Sequence, residues 1–124
     1  MAGKRVLVLG TFDGLHPGHY FFLRSAKARG DVLVVGVARD EHVNTLKQKR
    51  VGQILAQRMQ ALKNLPFVDE VHACDTELGS FDILKATNPD LIVVGHDQYE
   101  LEQDLIRWMS EHDAYIPMLR IKKI

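Results

Sequence analysis

A chain of 124 residues is long enough for one domain and too short for two ordinary ones. Hydrophobic residues make up 46% and charged residues 26%, as in a soluble globular protein, and the formal net charge of zero argues against a nucleic acid as the main partner. No apolar stretch approaches the ~20 residues of a membrane span, Met1 to Arg5 is not followed by a signal-like apolar core, and a single cysteine, Cys74, excludes an internal disulfide and suits a reducing cytoplasm.

Strands are predicted at Arg5 to Gly10, Val32 to Ala38, Glu70 to Ala73, Leu91 to Gly95 and Tyr115 to Leu119, with four helices between them. Short strands alternating with helices give one α/β domain over residues 1–124. It is a doubly wound, Rossmann-like, five-stranded parallel sheet of order 3-2-1-4-5 with helices on both faces.

The first strand empties into Gly10-Thr11-Phe12-Asp13-Gly14-Leu15-His16-Pro17-Gly18-His19. Proline is tolerated at the first helical position and forces its predecessor out of helical geometry, so Pro17 opens the first helix and His16 is its N-cap. His19 falls in the first turn and, on a helical wheel, shares the inward arc of Phe22, Leu23 and Ala26. Both imidazoles therefore gather at the positive end of a helix, a ready anion site. Glycines at 10, 14 and 18 let the backbone approach a ligand, and Gly10 and Gly14 also permit positive φ. A His-x-x-His pair alone also reads as two surface histidines or half a metal site.

Beyond the second strand, Arg39-Asp40-Glu41-His42 leads to a basic loop, Lys47-Gln48-Lys49-Arg50. Such a run is ordinarily a solvated loop, but this one follows the carboxyl end of a parallel strand, where open α/β sheets bind ligands. In the helix Val51 to Leu65, Arg58 falls among Ile54, Leu55, Ala61 and Leu62 on the apolar arc. A guanidinium there needs an anionic partner, a carboxylate or a nucleotide phosphate. Ser80 is a candidate N-cap for a short helix, Phe81 to Ala86. The strand Leu91 to Gly95 ends in Gly95-His96-Asp97-Gln98, which the expected strand order places beside the first turn across one crevice. The last helix, Glu100 to His112, buries Leu105, Trp108 and Met109, and His112 is a dipole-compatible cap.

The string Gly-Thr-Phe-Asp-x-x-His-x-Gly-His resembles the signature of the HxGH nucleotidyltransferase superfamily, in particular its cytidylyltransferase-like branch. The basic loop and helical arginine resemble glycerol-3-phosphate cytidylyltransferases. Val37-Ala38-Arg39-Asp40, Gly95-His96-Asp97-Gln98 and Leu119-Arg120-Ile121 resemble archaeal-type FAD synthases. The resemblance implies transfer of a nucleoside monophosphate from CTP or ATP to a small phosphorylated acceptor, such as glycerol 3-phosphate or FMN, with release of pyrophosphate. It gives His16, His19 and Lys47 catalytic roles and makes Gly10, Thr11, Phe12, Asp13, Gly18, Lys49, Arg58, Gly95, Asp97 and Arg120 nucleotide-binding. It also implies Mg²⁺ bridging phosphates with Asp13 as its protein neighbour, and a homodimer. Such families continue past the arginine into an Ile-Ser-Thr-Ser-like segment, whereas this sequence ends at Ile124, so a non-catalytic nucleotide-binding module is the alternative.

Overall fold

The computed structural model describes residues 3–47, 52–77 and 79–122, with the side chains of all of these except 44–47. The element order is β1 (Arg5–Gly10), α1 (Pro17–Lys27), β2 (Val32–Val37), α2 (Asp40–Lys47), α3 (Leu55–Lys63), β3 (Glu70–Ala73), α4 (Asp82–Thr87), β4 (Leu91–Val94), α5 (Tyr99–Glu111) and β5 (Met118–Arg120). All neighbouring strands are parallel, in the order β3-β2-β1-β4-β5, as the alternation of elements predicts.

The two faces of the sheet follow from strand pleating, which sends alternate side chains to opposite sides. Val6 and Val8 of β1 pack with Leu23 and Ala26 of α1 and Leu62 of α3. Leu7 and Leu9 pack with Ile83 and Leu84 of α4 and with Leu105, Trp108 and Met109 of α5. β1 and β4 are buried on both faces, which is why they read as continuous Val/Leu/Ile runs.

The register places the crevice. β1 pairs with β2 from Arg5 opposite Val32 to Gly10 opposite Val37, but with β4 only at Val6 opposite Leu91 and Leu7 opposite Ile92. The carboxyl ends of β1 and β4 thus lose their ladder where the connections reverse direction, the usual ligand position in such sheets.

Five helices occur among the described residues rather than four. The run after β2 forms α2, with Asp40 and Glu41 in its first turn complementing the helix dipole. The next helix starts at Leu55, and Val51 lies outside the described residues. β5 begins after Pro117 instead of at Tyr115: the proline lacks a ladder N–H and contributes only its carbonyl, to the Ile92 N–H (2.9 Å), while Tyr115 is exposed. Ser80 does not cap α4. The N-cap position is Phe81, at φ 50°, and the Asp75 carboxylate accepts both the Ser80 hydroxyl and the Asp82 N–H. His112 is the C-cap of α5, its ring stacked on Trp108 at 4.3 Å.

Candidate functional site

The β1–α1 turn locks two imidazoles together. His16 is the N-cap of α1; the Gly18 N–H donates to its Nδ1 (3.1 Å), and the His16 N–H donates to His19 Nδ1 (3.3 Å). The rings stack at 3.8 Å with 25° between their planes. Because each Nδ1 accepts from backbone, the proton of each neutral ring resides on Nε2, and both rings sit at the positive end of α1, whose Gly18, His19 and Tyr20 N–H groups are capped by His16 itself.

Glycine serves this turn in two ways. Gly14 has φ +81° and supplies the left-handed bend. Gly10 does not take positive φ; that conformation falls to Phe12, at φ 52°, and a Cβ on Gly10 would meet the Phe12 ring at 2.8 Å. A non-glycine residue in this region costs of order 1–2 kcal/mol, offset here by burial of the Phe12 ring against His19, centroids 5.5 Å apart. Gly18 permits close approach, since a Cβ there would meet the His16 ring at 2.9 Å.

Behind the turn lies a buried ionic network. Arg58 is fully buried, and its guanidinium donates to the Asp40 carboxylate, to Thr11 O (2.8 Å) and to Gln53 O (3.0 Å). Asp40 also accepts the Leu55 N–H (3.3 Å), and Asp13 accepts the N–H groups of Gly52 (2.7 Å) and Gln53 (2.8 Å). Arg58 finds the carboxylate partner that its place on the apolar arc calls for, and its bond to Thr11 O ties α3 to the turn after β1.

On the far side of the crevice, the Gly95 N–H donates to Gln98 Oε1 (2.7 Å), while Gln98 Nε2 donates to Leu9 O (2.8 Å) on β1. Arg120 donates to Gly95 O (3.1 Å) and pairs with Glu102 (2.7 Å), with its guanidinium 4.0 Å over the Tyr99 ring. It braces the turn from outside the cavity.

A cavity of about 1050 Å³ opens between these parts. Gly10, Thr11, Phe12, Asp13, His16, Gly18, His19, Gly95 and Asp97 line it, whereas Arg58 and Arg120 do not. Lys49 and the side chain of Lys47 lie outside the described residues. Sequence reasoning placed Gln98 at the crevice without its bridging role, and it missed the β2–β3 side of the wall, His42, Cys74, Asp75, Phe81 and Ile83. The strand-end rule that located Gly95 and Asp97 applies equally to Cys74 and Asp75 after β3. Burial, seconded by Asp75, pushes the Cys74 thiol up to about 12 against the opposing pull of Arg39 and Arg58, so it is a neutral wall atom.

Among the described residues no group of three His, Cys, Asp or Glu side chains could hold a metal ion. Mg²⁺ does not require such a cage, because it keeps waters and takes one or two carboxylates together with substrate phosphates. Asp13, lining the cavity beside the imidazole turn, is a carboxylate of that kind.

Comparison with known proteins agrees with this architecture. The family described as cytidylyltransferase-like matches residues 7–116. The chain is 46% identical over 105 residues to the FAD synthase of Methanococcoides burtonii, covering 82% of this chain and 71% of that protein. It is 37% identical over 117 residues to the FAD synthase of Thermococcus kodakarensis, covering 94% and 78%. Among solved structures, the lipopolysaccharide core biosynthesis protein from Thermoplasma volcanium superposes with a TM-score of 0.90 at 29% identity over 99% of both chains.

Proposed function

The chain belongs to the cytidylyltransferase-like family and is a nucleotidyltransferase, and we propose that it is the one that transfers AMP from ATP to FMN. The observation that carries this reading is the stacked His16–His19 pair, fixed by its own capping bonds, at the mouth of a cavity on the β1/β4 switch point. The relatives named FAD synthase favour ATP and FMN over CTP and glycerol 3-phosphate. The cavity adds support: about 1050 Å³ with Phe21, Phe22, Phe81, Ile83 and Leu101 in its lining is far more apolar room than a glycerol phosphate needs, and it suits a flat ring system.

In this reading the FMN phosphate oxygen attacks the α-phosphorus of ATP in line. A new phosphorus–oxygen bond forms, the bond from the α-phosphorus to the bridging oxygen breaks, and pyrophosphate leaves with that electron pair. No side chain needs to become covalently attached, so the chain's work is positioning and charge stabilisation. His16 and His19 direct their Nε2–H groups at the phosphate oxygens on which charge builds. The N-terminus of α1 adds the positive end of its dipole, and the Gly95–Asp97 turn receives the nucleoside. Lys47 and Lys49 neutralise triphosphate, Arg58 holds Thr11, and Arg120 braces Gly95. A divalent ion such as Mg²⁺ would supply further charge neutralisation, with Asp13 holding it.

A non-catalytic nucleotide-binding module is disfavoured because the relatives bear the names of enzymes. Pyrophosphate release measured with ATP or CTP against FMN or glycerol 3-phosphate tests the proposal. Release with ATP and FMN alone supports it, release with CTP and glycerol phosphate overturns the substrate assignment, and nucleotide binding without release restores the module.

A further inference from the structure

The pairing of β1 with β4 ends at Leu7 opposite Ile92, yet the turns that follow these strands face each other across the cavity. Among the described residues one side chain joins them there. The Gln98 amide accepts the Gly95 N–H through Oε1 (2.7 Å) and donates from Nε2 to Leu9 O (2.8 Å), reaching back over 89 residues of sequence. These two bonds replace a rung that the sheet ladder does not supply. They need a donor and an acceptor on the same rigid group, which among long side chains only glutamine provides. The anchor is firm, because Leu9 is buried in the core that α4 and α5 share.

We propose that Gln98 is a positioning residue for nucleotide binding: its side-chain amide sets the separation between the imidazole turn after β1 and the Gly95–Asp97 turn after β4. The inference rests on the reading that the nucleoside enters between these turns. A slot of the wrong width weakens the bound substrate and the transition state alike, so the loss falls on KM for the nucleotide and spares kcat. In the same reading the flavin lies against Phe81 and Ile83, away from the two Gln98 bonds, so the KM for FMN is unaffected.

Gln98→Glu keeps the shape but sets a carboxylate oxygen against Leu9 O, and Gln98→Asn is one methylene too short to span both partners. Steady-state kinetics with ATP and FMN, together with thermal melts, test the proposal on the whole chain. The expected result for both variants is a KM for ATP raised about tenfold, the equivalent of one or two ordinary hydrogen bonds. The expected kcat and KM for FMN stay within about threefold, and melting stays within ~3 °C of the parent. An unchanged KM for ATP in both overturns the proposal. So does a parallel rise in both KM values with a large fall in melting temperature, which would make the amide a structural tie. An inactive parent instead sinks the assignment of ATP and FMN, and the role of Gln98 falls with it.

Discussion

Arg58→Met removes the centre of the buried network while nearly preserving volume. The parent guanidinium has 0% exposure and donates to one carboxylate and two carbonyls. Charge-assisted hydrogen bonds are worth about 1.5–3 kcal/mol each, and breaking a buried pair costs about 3–5 kcal/mol. Asp40, however, is 33% exposed and keeps the Leu55 N–H, so the stranded carboxylate recovers part of its hydration. The cost is therefore set near the low end, about 3 kcal/mol, or roughly 10 °C of melting temperature for a domain of this size. Asp40→Ala is the harsher change, about 4 kcal/mol, because it strands a cation with no route to water. The double variant loses less than the two singles summed, since neither charge is then left alone. Urea and thermal unfolding of the set give these values. An Arg58→Met variant within about 1 kcal/mol of the parent, or an Asp40→Ala milder than Arg58→Met, would refute the reasoning.

Three further outcomes follow from other parts of the molecule. Gly18→Ala displaces the His16 ring that a Cβ would meet at 2.9 Å, so kcat/KM falls about tenfold or more, while stability changes by no more than about 1 kcal/mol, the weakened N-cap being offset by the better helix former; a fully active variant removes the need for the close approach. The Arg5 guanidinium, seconded by His72 and opposed by burial, lowers the Glu70 carboxyl from 4.5 to about 2. A depressed carboxyl contributes stability above its ordinary value and loses it as pH falls through about 4.5 toward about 2. Glu70→Gln should thus be less stable than the parent near neutrality by ~1 kcal/mol or less, as suits a pair about one-third open to solvent, with the gap closing in acid; a gap that widened in acid would contradict the sign. Cys74, its thiol pushed up to about 12, should resist iodoacetamide at pH 8 in the folded protein and react after unfolding; rapid native labelling would show that the wall of the cavity is open there.

Much of the fold is legible in the sequence because it rests on local signals. The buried runs of β1, β2 and β4, the proline after His16 and the polar turn after β4 suffice for the strand order and the N-cap. Inward placement of Arg58 follows from helical period alone, but its partner does not. Asp40 is 18 residues away, and its carboxylate becomes available only once α2 forms in a run that reads as a solvated loop. The bridging role of Gln98 is hidden for the same reason, since its bond to Leu9 spans the chain. Phe12 carries no mark of its left-handed backbone, which the packing of its ring under His19 imposes. The late start of β5 was legible in Pro117, whose missing N–H excludes it from a ladder.

The most direct measurement is FAD formation, followed by flavin fluorescence after separation, from ATP, FMN and Mg²⁺ with the parent, His16→Ala and His19→Ala. Removing one donor aimed at developing charge costs about 10²–10³ in rate, so each variant should lose at least a hundredfold in kcat while remaining folded. FAD formation within a few-fold of the parent in either variant would contradict the assignment of the chemistry to the imidazole pair.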